Sequence, residues 1–77
     1  MQEFVRSLLV VLGEEIEAAR RTKKLSRRKL ARQAHLSEDQ LERIEAGSVN
    51  MRFKQLVRLA AALDCHLVIS FRPNRKI

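Results

Sequence analysis

The 77 residues predict a small all-α domain that ends in one short β-strand. Three observations carry that expectation. Apolar residues recur at spacings of three and four through most of the chain, which is the period of a helix buried on one face. Two glycines and one proline are too few for a many-turned β fold. The last stretch changes period. In His66-Leu67-Val68-Ile69-Ser70-Phe71-Arg72, the side chains of Leu67, Ile69 and Phe71 fall on one side, and Pro73-Asn74 stops the run.

Residues 2–23 read as one long helix or as two joined at Gly13. Phe4, Val5, Leu8, Leu9, Leu12, Ile16 and Ala19 form a broad apolar stripe. A strand over Phe4–Val11 is the alternative, because Val10 and Val11 are β-branched. The stripe either covers its own domain or, in part, meets a second subunit. Thr22–Ser26 links to the next helix, with Ser26 placed to cap it.

Arg27–Ala34 is the second helical run, with Leu30, Ala31 and Ala34 on one face. The two alanines are small where helix backbones must approach closely. Ala34-His35-Leu36-Ser37 then turns the chain, and His35 stands where left-handed geometry is needed. Ser37 precedes the third run, Glu38–Ala46, where a hydroxyl can accept from a free backbone N–H. Acids at Glu38 and Asp39 suit the positive end of the helix dipole. Leu41 and Ile44 face inward, so Glu38, Asp39, Glu42 and Arg43 project outward. Two short helices joined in this way form a helix-turn-helix motif. Gly47 ends the run as a left-handed cap, and Gly47–Met51 is a loop. Phe53–Leu63 is the next helix, with Phe53, Leu56, Leu59, Ala60 and Leu63 inward, and Asp64 ends it.

Size and charge narrow the function. A chain of this mass buries about 60% of its unfolded surface on folding, which favours an extra interface. The net charge is +7 and the pI about 10.8, so the surface attracts polyanions. No acid occurs between Glu17 and Glu38, whereas Arg20, Arg21, Lys23, Lys24, Arg27, Arg28, Lys29 and Arg32 all do. A plain solvated face is the competing explanation of that block. RNA is a third option, but no aromatic stacking platform is visible. The single cysteine, Cys65, excludes an internal disulfide framework and suits a reducing cytoplasm. Its bland reading is a small buried apolar residue. Leu8–Leu12 is far too short to span a bilayer, and no membrane partner is expected. There is no Gly-rich phosphate loop, metal-ligand cluster, catalytic constellation or cofactor signature. Cys65-His66 could offer two metal ligands, but neighbours on a strand face opposite ways. Neither an enzyme nor a metal site is expected.

The stretch LSRRKLARQAHLSEDQLERIEAG, followed by LVRLAAAL, resembles the Xre/phage-repressor type of helix-turn-helix domain. The match runs through Leu25, Ser26, Leu30, Ala31, Ser37, Leu41, Ile44, Glu45, Gly47, Leu56, Leu59, Ala60, Ala62 and Leu63. The chain departs from the pattern at Arg27 (usually Gln), His35 (usually Gly) and Met51 (usually Pro), and in the acidic start Glu38-Asp39. The resemblance implies a five-helix, lambda-repressor-like fold and a dimeric regulator that binds double-stranded DNA sequence-specifically.

It also implies roles. The helix after Ser26 would point its N-terminus at a phosphate. Arg27 would add a charge-assisted contact, with Arg28 and Lys29 in support. Positions Glu38, Asp39, Gln40, Glu42 and Arg43 would lie nearest the base edges, with Ser37 at the helix start. Gln40 can bond adenine or a phosphate, Arg43 guanine or a phosphate, and the carboxylates the cytosine amino group. Helix stabilisation alone would also explain Glu38. Ser48, Asn50 and Arg52 would be secondary phosphate contacts. Glu45 would be structural, anchoring the loop after the reading helix.

The expected organisation is an N-terminal helical extension over 1–11, the helix-turn-helix domain over 12–64, and a dimerisation strand with a basic tail over 65–77. A lone strand leaves its backbone groups unpaired. Leu67, Val68, Ile69, Ser70 and Phe71 would therefore pair with the same strand of a second copy across a two-fold axis. Tails of this kind resemble those of antitoxin-type Xre repressors. The functional expectation is a homodimeric repressor of a palindromic operator, in a bacterial or phage-encoded setting at the nucleoid. The alternatives are an antitoxin with a protein toxin as partner, or a restriction-modification controller.

Overall fold

The computed structural model describes residues 2–73 and contains four α-helices: α1 (Gln2–Thr22), α2 (Arg27–Gln33), α3 (Glu38–Glu45) and α4 (Phe53–Ala62). α1 lies along α3, and α2 packs against both α3 and α4. Leu30, Leu41 and Leu59, one from each of α2, α3 and α4, are fully buried. Ile16, Ala31, Ala34, Leu36, Ile44 and Leu63 complete the core around them. Leu30, Ala31 and Ala34 thus hold the inward face expected of α2, and Leu41 and Ile44 that of α3.

All four helices end in the same way. Lys24, His35, Gly47 and Asp64 each take positive φ, between 55° and 71°. The next amide in each case reaches back five residues: Leu25 to Arg20, Leu36 to Ala31, Ser48 to Arg43 and Cys65 to Ala60, at 2.8–3.1 Å. These are Schellman caps, which satisfy carbonyls the helix leaves open. The left-handed cap at Gly47, the left-handed His35 and the stop at Asp64 agree with the sequence reading. Left-handed Lys24 has no counterpart in the sequence pattern, since nothing in a lysine favours that geometry. At the helix starts, the Ser26 hydroxyl accepts from the Lys29 amide at 3.1 Å. Ser37 does the same for Gln40 at 3.0 Å, and the Gln40 side-chain oxygen accepts from the Ser37 amide at 2.8 Å. That reciprocal pair is a capping box.

The structure decides between two pairs of alternatives, the first and fourth points below, and corrects two expectations, the second and third. First, α1 is one unbroken helix through Gly13. A Cβ there would lie 2.5 Å from the Ile44 carbonyl oxygen and 2.6 Å from that of Glu45. Gly13 is therefore a place of close helix approach rather than a joint. Second, the described residues hold four helices, not five, and no strand. Residues 65–73 carry no regular structure, as follows when a single chain offers no second strand to complete the ladder. Third, Phe53 is 64% exposed, so it does not join the α4 core stripe. It stands at the first position of α4, and the side chains that reach the core, Leu59 and Leu63, come further along. Fourth, only the C-terminal half of the α1 stripe is covered. Ile16 is buried and Leu12 and Ala19 pack beside it. Phe4, Val5, Leu8 and Val11 are exposed, because α1 outruns the elements it packs on. The expected basic end at Arg75 and Lys76 lies outside the described residues.

Candidate nucleic-acid interface

α3 owes its position to its inward side. Leu41 and Ile44 fix it in the core, and the capping box fixes its start. Glu45, at the end of the helix, also turns inward, and the other side chains face out. Ser37, Glu38, Asp39, Gln40, Glu42 and Arg43 are all exposed. They form one polar face on a rigid support, as reading a duplex groove requires. Within that face, Arg43 Nη2 lies 3.1 Å from Asp39 Oδ2, one helical turn away. Gln40 has a committed oxygen, since it accepts from the Ser37 amide. Its side-chain NH2 has no partner among the described residues.

The flanks are exposed as well. Arg28 and Lys29 on α2 stand in solvent and form no ion pair among the described residues. Beyond α3, the Ser48 hydroxyl donates to the Arg43 carbonyl at 3.2 Å. Asn50 and Arg52 are exposed. Arg52 leads into α4, and its amide donates to the Gln55 side chain at 3.0 Å.

Arg27 differs from its neighbours. Its Nε donates to Glu45 Oε1 at 2.8 Å, and its Nη2 lies 3.7 Å from Glu17 Oε2. The hydrogen bond to Glu45 and its charge raise the Arg27 pKa further above its ordinary value. Glu45 also takes Arg20, through Nε at 2.7 Å and Nη2 at 3.2 Å, while Arg20 Nη1 donates to the Leu25 carbonyl at 3.0 Å. Burial pushes the Glu45 carboxyl up, but hydrogen bonds from Arg20 and Arg27 outweigh it and hold the pKa below the usual carboxylate value. Glu45 is structural, as expected, but its partners are α1 and α2 rather than the loop after α3. The sequence reading missed Arg20. The available signal was its spacing from Gly13 and Glu17, which sets all three on the face of α1 turned toward α3.

The segment expected to join two subunits is mostly bare in the single chain: Val68 is 83% exposed, Ile69 59% and Phe71 99%. Leu67 and Ser70 are exposed too. Among the described residues, no group of three His, Cys, Asp or Glu side chains could hold a metal ion. Among the same described residues, no helix is long and apolar enough to cross a membrane.

No curated protein matches the chain in sequence. A solved structure does: that of the restriction-modification controller protein C.AhdI from Aeromonas hydrophila. It is 30% identical, with a TM-score of 0.77, over 79% of this chain and 88% of that one. A family model described as a helix-turn-helix domain matches residues 11–68, which include α2, the turn, α3 and α4. By its fold, by the exposed polar face of α3 and by these likenesses, the chain belongs to the helix-turn-helix family of DNA-binding domains.

Proposed function

We propose that this DNA-binding transcriptional regulator acts as a homodimer that reads a two-fold symmetric operator through α3 and represses from it. The observation that carries the reading is the outward face of α3. Asp39, Gln40, Glu42 and Arg43 are all exposed on a helix locked by its cap and by two buried side chains. Base discrimination falls to these four, while Arg28, Lys29 and Arg52 with Ser48 and Asn50 hold phosphates. Arg27 serves the site by holding α2 to α3 rather than by contributing its whole charge to DNA. Pairing of Leu67–Phe71 between copies closes the dimer. Two α3 helices then meet half-sites about 34 Å apart.

Selection of bound sequences from random duplex DNA tests this, with Arg43→Ala as control. The expected product is an inverted repeat, and the variant loses preference at one position of each half-site. Recovery of no consensus, together with a monomer mass by light scattering at working concentration, overturns the reading.

The likeness to a restriction-modification controller protein favours a second reading, in which the regulated genes encode such a system. A reporter driven by the promoter of a neighbouring methyltransferase gene would respond to this chain if that reading holds.

A further inference from the structure

Along α1, residues 6, 10, 13, 17 and 20 follow the alternating spacing of four and three that keeps side chains on one helix face. The structure shows what most of that face meets. Arg20 binds Glu45 at the end of α3. Gly13 lies against the carbonyls of Ile44 and Glu45. Val10 lies against Gly47: a Cβ on that glycine would sit 2.6 Å from the Val10 Cα. Arg6 is the next residue on the face, about 6 Å further along the helix. It lines one shallow groove together with Val10, Gly47, Ser48 and Asn50. Arg6 is exposed and forms no ion pair among the described residues. It also lies before residue 11, where the family match begins.

We propose that the N-terminal extension of α1 adds Arg6 to the DNA-binding surface, as a phosphate contact beside Ser48 and Asn50. The inference rests on the reading above that this loop lies on the sugar-phosphate backbone. The chemistry is consistent with a mobile polyanion partner. Arg6 is a guanidinium with five donors; Glu3, one turn before it, lines an adjoining groove but forms no ion pair with it, and the polar neighbours of Arg6 beside the loop are a hydroxyl and an amide. Gly47 fixes the distance, because its lack of a side chain lets α1 run flush against the loop. Arg6 therefore moves with the reading helix as one body. A contact made this way positions the protein and is indifferent to base sequence.

The experiment measures affinity against salt for Arg6→Ala, Arg6→Lys and Asn50→Ala. The probes are the duplex selected by the unchanged protein and a scrambled duplex of equal length. A melting curve for each variant confirms that it folds. The expected result is a loss of about one unit in the slope of log K against log salt for Arg6→Ala, equal on both duplexes. Arg6→Lys restores the slope, since it keeps the charge. An unchanged slope in Arg6→Ala, with binding weakened by Asn50→Ala, overturns the role of Arg6 and leaves the loop at the backbone. No effect from either alanine variant overturns both.

Discussion

On α3, Arg43 meets Asp39 at 3.1 Å and, two residues on, Glu45 meets Arg20 at 2.7 Å. The groups are the same and the distances close. Their surroundings are not. The Arg43 and Asp39 side chains are 62% and 67% exposed, whereas those of Arg20 and Glu45 are 10% and 2%. In water the first pair is screened and holds both partners loosely, so each can exchange the other for a base edge or a phosphate. Away from water the second pair must stay closed, because an uncompensated buried charge is far more costly than a missing surface contact. One pair is available to a ligand, and the other, together with Arg27, holds α1, α2 and α3 in register. Burial separates the two roles, and the residue types do not.

The largest expected effect comes from breaking the buried pair. Glu45→Ala frees Arg27 and leaves the buried Arg20 with only Glu17 at 3.8 Å and the Leu25 carbonyl, and should cost up to about 3–5 kcal/mol of stability, read as a fall in denaturation midpoint. For a chain of this size that is much of the total. Glu45→Gln keeps the shape but removes the charge, and gives the pH test. The native carboxyl titrates below its ordinary 4.5, so the unfolded state binds its proton first as pH falls. The stability due to the pair is thus full above pH 4.5 and drains away as pH drops through the lower native value. The gap between wild type and Glu45→Gln should narrow over that acid range. A gap that stays constant down to pH 2 would show that the charge is not what holds the corner.

Much of this was legible in residues alone. The spacing of Leu30, Ala31 and Ala34, and of Leu41 and Ile44, placed both helices of the motif, because one-sided burial imposes that period. Ser26 and Ser37 marked the helix starts through a single local hydrogen bond each. Glu45 was recognised as structural, but its partner Arg20 lies 25 residues away, and no local rule connects them. Arg27 was read as a phosphate contact on its position at the start of α2. In the structure its guanidinium donates to Glu45, a contact that depends on how α2 and α3 cross. The tail was legible as a strand in composition, yet a strand is a property of a pair, and one chain supplies only half of it.

A steric test of the same corner comes next in size. Gly13→Ala would place a methyl 2.5 Å from the Ile44 carbonyl oxygen, which is backbone and cannot swing aside. Alanine gains about 1 kcal/mol over glycine in a helix interior, while overpacking costs about 1–3 kcal/mol. A net loss of up to about 2 kcal/mol is expected, with α1 displaced from α3 and the Arg20–Glu45 distance lengthened. A gain in thermal stability would mean that α1 can shift without loss, and that the corner is less rigid than the buried pair requires.

The smallest effect on stability, and the sharpest contrast with Glu45, is expected at the exposed pair. Arg43→Ala and Asp39→Asn should each change stability by no more than about 0.5 kcal/mol, as exposed helix pairs do. Their binding effects should oppose one another. Arg43→Ala removes a guanidinium from the reading face, and a lost bidentate base contact costs about 1–3 kcal/mol of discrimination at one position. Asp39→Asn removes a carboxylate that holds Arg43 and repels phosphate, so affinity for scrambled duplex should rise while preference for the operator falls. The ratio of the two affinities, measured at one salt concentration, reads this directly. If Asp39→Asn instead tightens operator and scrambled duplex equally, Asp39 acts only as a charge near the backbone. If Asp39→Asn destabilises the fold as much as Glu45→Gln, exposure is not what distinguishes the two pairs.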